Sequence, residues 1–298
     1  MRPQSADLKL DPLAQPGPWL VLQGLIRLRL RQFPKKVYIG GTMMAFVLVV
    51  AVFAPLLAPY NPLAQNIDKA LEPPTLQHLF GTDQFGRDVL SRTIFSTRLD
   101  LAIAIVGTVL PFLLGCSLGL LAGYFGGWLD IIIGRLVDVI IAFPGIVLII
   151  AFIALLGNNL INLFLALTLT DWTNYTRLIR GEVLFVKNYQ FVQAARALGY
   201  SNWRILLVHI LPNVITPAIL FLMLDIVATV LLVTSLSYIG LGPQPPTPEW
   251  GAMIAEARPI LFLAWWVALF PGLAIIATGL GLAIFGDGLA DHLRPEAR

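Results

Sequence analysis

Apolar positions in this chain come in long runs, not in the one-sided stripes of a helix on a water-soluble core. Six runs stand out, at about 37–58, 99–124, 131–156, 160–175, 214–239 and 259–285. Each is near the ~20 residues that cross ~30 Å of hydrocarbon as a helix. The expectation is an all-α integral membrane protein with six transmembrane helices. An earlier apolar piece, 19–26, is too short to span, and Arg27, Arg29, Arg31, Lys35 and Lys36 follow it. That order is the reverse of a secretory signal, so the segment reads as an N-terminal helix lying in the membrane interface.

Composition agrees with the pattern. Hydrophobic residues make up 57% of the 298 positions and charged residues 12%, about half the ~25% usual in soluble domains. Mean hydropathy is +0.80. A soluble globular protein and a disordered chain are both excluded on these grounds. A net charge of +3 is too small for a nucleic-acid surface. The positions of the cations say more than their sum. With the N-terminus in the cytoplasm, fifteen Arg and Lys residues fall inside and five outside: Lys69, Arg87, Arg92, Arg98 and Arg258. Basic loops stay cytoplasmic, so both termini are expected there. This divides the chain into a cytoplasmic and interfacial segment 1–36, a membrane domain 37–289 and a cytoplasmic tail 290–298. Within the membrane domain lie an exported segment 59–98, a cytoplasmic loop 177–213 and an exported loop 241–258.

Catalytic signatures are not found. None of the lysines follows a glycine, so there is no phosphate-binding G-x-x-x-x-G-K-[ST], and neither H-E-x-x-H nor G-x-S-x-G occurs. His78, His209 and His292 are scattered and Cys116 is the single cysteine, so no metal site and no disulfide is expected. The chain reads as non-catalytic, and any energy for work comes from a partner.

The cytoplasmic loop carries the most information. Tyr189 to Asn213 reads as helix, break, helix. Phe191 to Leu198 is rich in helix formers, Gly199 supplies a left-handed C-cap, and Ser201 or Asn202 caps the next turn. Gln193, Ala194, Ala195, Gly199, Leu211 and Pro212 stand at the positions of the E-A-A-x3-G-x9-I-x-L-P loop of ABC importer permeases, which the segment resembles. Gln193 replaces the leading glutamate, and His209 stands where isoleucine is usual. Four further stretches resemble the dipeptide/oligopeptide branch of that family: Gly81-Thr-Asp-Gln-Phe-Gly-Arg-Asp-Val89, Arg135 to Pro144, Gly240 to Gly251, and Phe285-Gly-Asp-Gly-Leu289. The chain is similar to the second permease subunit of the pair. The resemblance implies a type I ABC importer permease fold and a bacterial inner-membrane location. It also implies a homologous permease partner, two ABC ATPase subunits holding ATP and Mg, and an extracytoplasmic substrate-binding protein. It points to Gln193, Ala194, Ala195, Arg196, Gly199 and Pro212 as ATPase-coupling residues.

Polar residues inside the runs have two readings each. Asp225, with Thr229 one turn later, either stabilises the bundle or lines the translocation pathway, where a peptide's amine is a plausible visitor. Arg135 and Asp138 share a helix face and read as a structural pair, and Asp171 reads as structural. In the exported loop, Pro245 and Pro246 stiffen the backbone, while Glu249 and Trp250 offer a charge and a large ring. The loop is either a binding-protein or gate contact or a stiff connector. The function expected is a permease subunit for peptides or similar small solutes. The alternative is an ion-gradient-driven secondary transporter, which needs mid-membrane coupling carboxylates.

Overall fold

The computed structural model describes residues 33–293, so the expected interfacial piece at 19–26 and the last residues of the tail lie outside the described residues. Those described are helical, and they contain no strand, only an isolated bridge between Thr82 and Asp88.

Helix α1 (Lys35–Val52) follows Pro34 and turns Tyr38, Ile39, Phe46, Leu48 and Val49 outward. Its buried positions are few: Gly40, Val47 and Ala51. At Gly40 a Cβ would lie 2.3 Å from the backbone nitrogen of Phe285. The missing side chain is what lets the last helix lie against α1, antiparallel to it.

Helix α2 (Val89–Phe125) is one element of 37 residues, about 55 Å long at ~1.5 Å per residue. The last part of the expected exported segment 59–98 and the expected second span are therefore one helix. Asp88 starts it by accepting the Ser91 amide at 2.7 Å. Its length exceeds the ~30 Å hydrocarbon, so part of it stands outside the bilayer.

The expected third span is broken. Helices α3 (Gly127–Ile141) and α4 (Gly145–Leu156) meet at 89°. Pro144 has no amide hydrogen and pushes the residue before it out of the helical region, which separates the two. Arg135 and Asp138 are both exposed on α3, and no ion pair joins them among the described residues. The expected structural pair is absent.

Helix α5 (Leu160–Val186) is capped by Asn159, whose Oδ1 accepts the Asn162 amide at 2.9 Å. It continues well past residue 175, so the first ten residues of the expected cytoplasmic loop are helical. Gly107, Gly115, Gly119 and Gly123 form a face of α2 on which α5 lies. A Cβ at Gly115 would be 2.3 Å from the Trp172 carbonyl oxygen, and one at Gly119 would be 2.7 Å from that of Thr176. Leu167, Trp172, Thr176 and Val183 follow one another in the same order as their glycine partners, so α2 and α5 are parallel. The α3–α4 pair therefore carries the chain back from the end of α2 to the start of α5.

After α5 come α6 (Gln190–Ala197), a short turn Asn202–Arg204 capped by Ser201, and a π-helical segment Ile205–Ile210. The chain then enters α7 (Leu211–Tyr238). It crosses α2 antiparallel, with Thr229 beside Thr108 and Val233 beside Ile103. Helix α8 (Trp250–Ala257) precedes α9 (Trp266–Leu293). The latter runs on through Gly286-Asp287-Gly288, beyond the expected end of the sixth run near residue 285.

Four of the described helices are long and apolar enough to cross a membrane: Lys35–Val52, Val89–Phe125, Asn202–Tyr238 and Trp266–His292. The bent pair makes a fifth. Helix α5 is outside that set, because Asp171, Arg177, Arg180 and Glu182 lie along it.

Candidate functional site

Three polar regions are stacked along the bundle: a loop at one end, a cleft in the middle and a charged cap at the other end.

The loop α6 to Arg204 is seated on the end of α2. Tyr124 donates its hydroxyl to Asn202 Oδ1 at 2.9 Å, the Arg196 guanidinium lies over the Tyr124 ring at 5.3 Å, and Phe125 meets Trp203 edge-on at 5.8 Å. Gly199 holds φ +77°, the left-handed conformation that ends α6. Val192, Ala195, Ile205, Leu206 and Ile210 pack inward against Ile179 and Val183. Ala195 is 4% exposed, so it supports the loop from inside and is not the outward contact the sequence suggested. Gln193, Ala194, Arg196, Gly199 and Pro212 are exposed, and Gln193 Nε2 donates to the Asn188 carbonyl. The sequence reading missed an outward apolar set around them. Phe185, Tyr189 and Phe191 meet edge-on in series at 5.2 and 6.0 Å, and Leu198 is 72% exposed. Their signal was present as aromatic spacing, but which way the rings point depends on where α5 ends.

In the middle, Tyr175 donates to Asp225 Oδ2 at 2.6 Å, bridging α5 and α7. The Tyr175 ring is buried between Phe112 and Phe221, which fixes the carboxylate's position. Asp171, one turn from Tyr175, lies within electrostatic reach of Asp225. Thr229 is elsewhere. It is 2% exposed and faces Thr108 Oγ1 at 3.4 Å, so it packs α7 against α2 and does not share an open surface with Asp225. Below Asp225, toward the loop end, a cleft of about 830 Å³ opens among Leu178, Asn213, Thr216, Leu224, Asp287 and Asp291.

At the far end, Asp83, Arg87, Arg92 and Glu256 form a buried network. Arg87 Nε donates to Asp83 Oδ2 at 2.6 Å, and Arg87 Nη2 and Arg92 Nη1 donate to Glu256 Oε2 at 2.7 and 2.9 Å. Arg92 also bonds Asp83. Two stretches distant in sequence, 81–92 and 250–257, thus become one cap. Glu249 and Trp250 belong to its interior. Glu249 is fully buried and accepts the Gly251 and Ala252 amides at 2.9 and 2.7 Å, capping α8. Burial pushes its carboxyl above the usual glutamate range, against the pull of those two donors. The Trp250 amide donates to Asp100 Oδ2 and its indole N–H to the Thr93 carbonyl, both at 3.1 Å. Neither side chain is a surface anchor, which corrects the sequence reading. Pro245 and Pro246 are exposed, and the peptide bond between them is cis.

These features define a helical, multi-pass membrane protein with no cluster of metal-ligating side chains among the described residues. Residues 115–298 match the family described as binding-protein-dependent transport system inner membrane component, and residues 35–74 match the N-terminal membrane domain of oligopeptide transport permease C. The chain belongs to this family. It is a permease subunit of an ABC importer, which sets aside the ion-gradient alternative. It is 40% identical to the glutathione transport system permease protein GsiD of Pectobacterium atrosepticum, over 87% of this chain and 86% of that one. To the dipeptide transport system permease protein DppC of Alkalihalophilus pseudofirmus it is 38% identical over 89% and 87%. To the probable D,D-dipeptide transport system permease protein DdpC of Escherichia coli it is 39% identical over 87% of each chain.

Proposed function

We propose that this permease imports short peptides or similar small solutes as one of two homologous membrane subunits. Two ABC ATPases holding ATP and Mg and an extracytoplasmic binding protein complete the machine. The parallel packing of α2 and α5 supports six crossings, and an even number of crossings is compatible with both termini being cytoplasmic. Two parallel neighbours joined in sequence need a return crossing between them, so the bent α3–α4 pair counts once and α5 counts once. The excess of basic residues at the loop end favours that end as cytoplasmic.

One observation carries the mechanism: the loop is bolted to the end of α2 while its outer face stays open. Phe185, Tyr189, Phe191, Ala194 and Leu198 present apolar surface that water does not favour, as in a site awaiting a protein partner. An ATPase gripping this face pulls on α2 through Tyr124 and Phe125. The same helix reaches the cap at the other end, where Pro245 and Pro246 are exposed to a binding protein. Asp225, held by Tyr175, lies between the two ends as a pathway residue.

The test is uptake of labelled dialanine by proteoliposomes holding the purified assembly, with ATP inside and binding protein outside. Uptake is expected to need ATP and the binding protein and to ignore a protonophore. Uptake that persists without ATP and collapses with the protonophore refutes the reading.

A further inference from the structure

Helix α5 carries Asp171, Asn174 and Arg177 at three-residue spacing, so the three side chains form a single ridge along it. Asn174 and Arg177 are exposed and Asp171 is half-buried. None of the three has a hydrogen-bond or ion-pair partner among the described residues. The ridge lies between two clefts. Leu178 lines the 830 Å³ cleft toward α7, and Arg177 lines one of about 290 Å³ toward α3, with Asp138 on its opposite wall. No ion pair joins Arg177 to Asp138. Trp172 to Thr176 of α5 lie against Gly115 and Gly119 of α2, so the ridge is level with the apolar part of that helix. Lipid tails cannot solvate an amide, a carboxylate and a guanidinium, so the ridge faces water or polar solute.

We infer that the ridge is a transit site for zwitterionic peptides of about three residues, with the peptide amine at Asp171 and Asp225 and its carboxylate at Arg177. This rests on the importer reading above. Asp225 uses Oδ2 for Tyr175 and leaves Oδ1 without a partner, so it can receive an ammonium. Residues 171 and 177 are separated by about 9 Å along the axis at ~1.5 Å per residue. An extended tripeptide, at ~3.3 Å per residue, spans about 10 Å between its charged ends. Asn174 stands between them, where a peptide amide needs both a donor and an acceptor. The Arg177 guanidinium matches a carboxylate with two parallel donors. Tyr175 is a positioning residue, because it touches Asp225 and not the solute.

The experiment uses the reconstituted assembly and three probes: trialanine, trialanine amide and N-acetyltrialanine. Arg177→Gln is expected to lower the uptake ratio of trialanine to its amide about ten-fold, as loss of one charge-assisted contact does. Arg177→Lys should restore part of it. Asp171→Asn should lower the ratio of trialanine to its N-acetyl form in the same way. A thiol placed by Asn174→Cys, in a Cys116→Ala background, should react with a membrane-impermeant maleimide and be protected by trialanine. Ratios unchanged in both charge variants, with all peptides slowed equally, overturn the site and leave a structural role. A thiol at position 174 that never reacts places the ridge against lipid or protein and overturns it too. A wild-type assembly that moves none of the three peptides overturns the peptide-import proposal above and not only the site.

Discussion

At the scale of the residue, neighbours in sequence divide into opposite roles. Ala194 faces out and Ala195 faces in, so one substitution made at each should separate docking from folding. Ala195→Asp buries a charge with no partner, at a cost on the order of 3 kcal/mol or more, and should reduce the amount of folded protein in the membrane. Ala194→Asp should leave folding and insertion intact and reduce ATP-driven uptake several-fold, by placing a charge in the apolar face around Leu198. Equal loss of folded protein in both variants would refute the assignment. Glu249 gives a pH prediction. Its folded carboxyl holds its proton above the ordinary value of 4.5, so the folded state binds more protons than the unfolded one. Stability contributed here is full below that value and is lost as pH rises through the raised range. In thermal denaturation of the purified assembly, Glu249→Gln should flatten this part of the pH profile. A profile identical to wild type would remove Glu249 as its source.

At the scale of the element, the α2–α5 pair is the rigid part. Its glycines bring backbone within reach of backbone, as small residues at four-residue spacing do in membranes. A Cβ at Gly119 meets no flexible side-chain end: it would lie 2.7 Å from the Thr176 carbonyl oxygen, 3.0 Å from Ile179 Cβ and 3.2 Å from the Arg180 nitrogen. Gly119→Ala should therefore lower thermal stability, by roughly 1–3 kcal/mol. Gly279→Ala, where a Cβ meets nothing within 4 Å, should be neutral or slightly stabilising, since alanine is the better helix former. Equal effects at the two sites would mean that the close approach is not what holds the pair. The break between α3 and α4 belongs to this scale as well. Pro111 lies inside α2 and Pro217 inside α7 without dividing them, whereas Pro144 stands where a helix ends. Proline alone does not say which will occur, because neighbouring helices can make good the lost hydrogen bond.

At the scale of the molecule, α2 joins the two working ends. Its first turns hold the cap through Asp88 and Arg92, and its last hold the loop through Tyr124 and Phe125. On the coupling proposed above, a push on the loop would reach the cap through a single 37-residue helix. On the six-crossing reading, the α3–α4 pair with its 89° corner is the return crossing between α2 and α5.

The sequence by itself determined that the chain is helical and membrane-embedded, because runs of apolar residues are set by composition and need no knowledge of contacts. It also determined the break at Gly199, since a left-handed cap is a local backbone demand. The family was legible in short motifs for the same reason: each is contiguous. What only the tertiary structure decided is which way side chains face. Glu249 and Trp250 look like surface groups in a proline-rich loop, yet Asp100 and Thr93, about 150 residues earlier, bury them. Thr229 shares a helix face with Asp225 but packs on Thr108. Asp171, Asn174 and Arg177 became a ridge only once α5 was seen to run past its apolar stretch. Burial is a property of pairs of segments distant in sequence, and a one-dimensional pattern does not record those pairings.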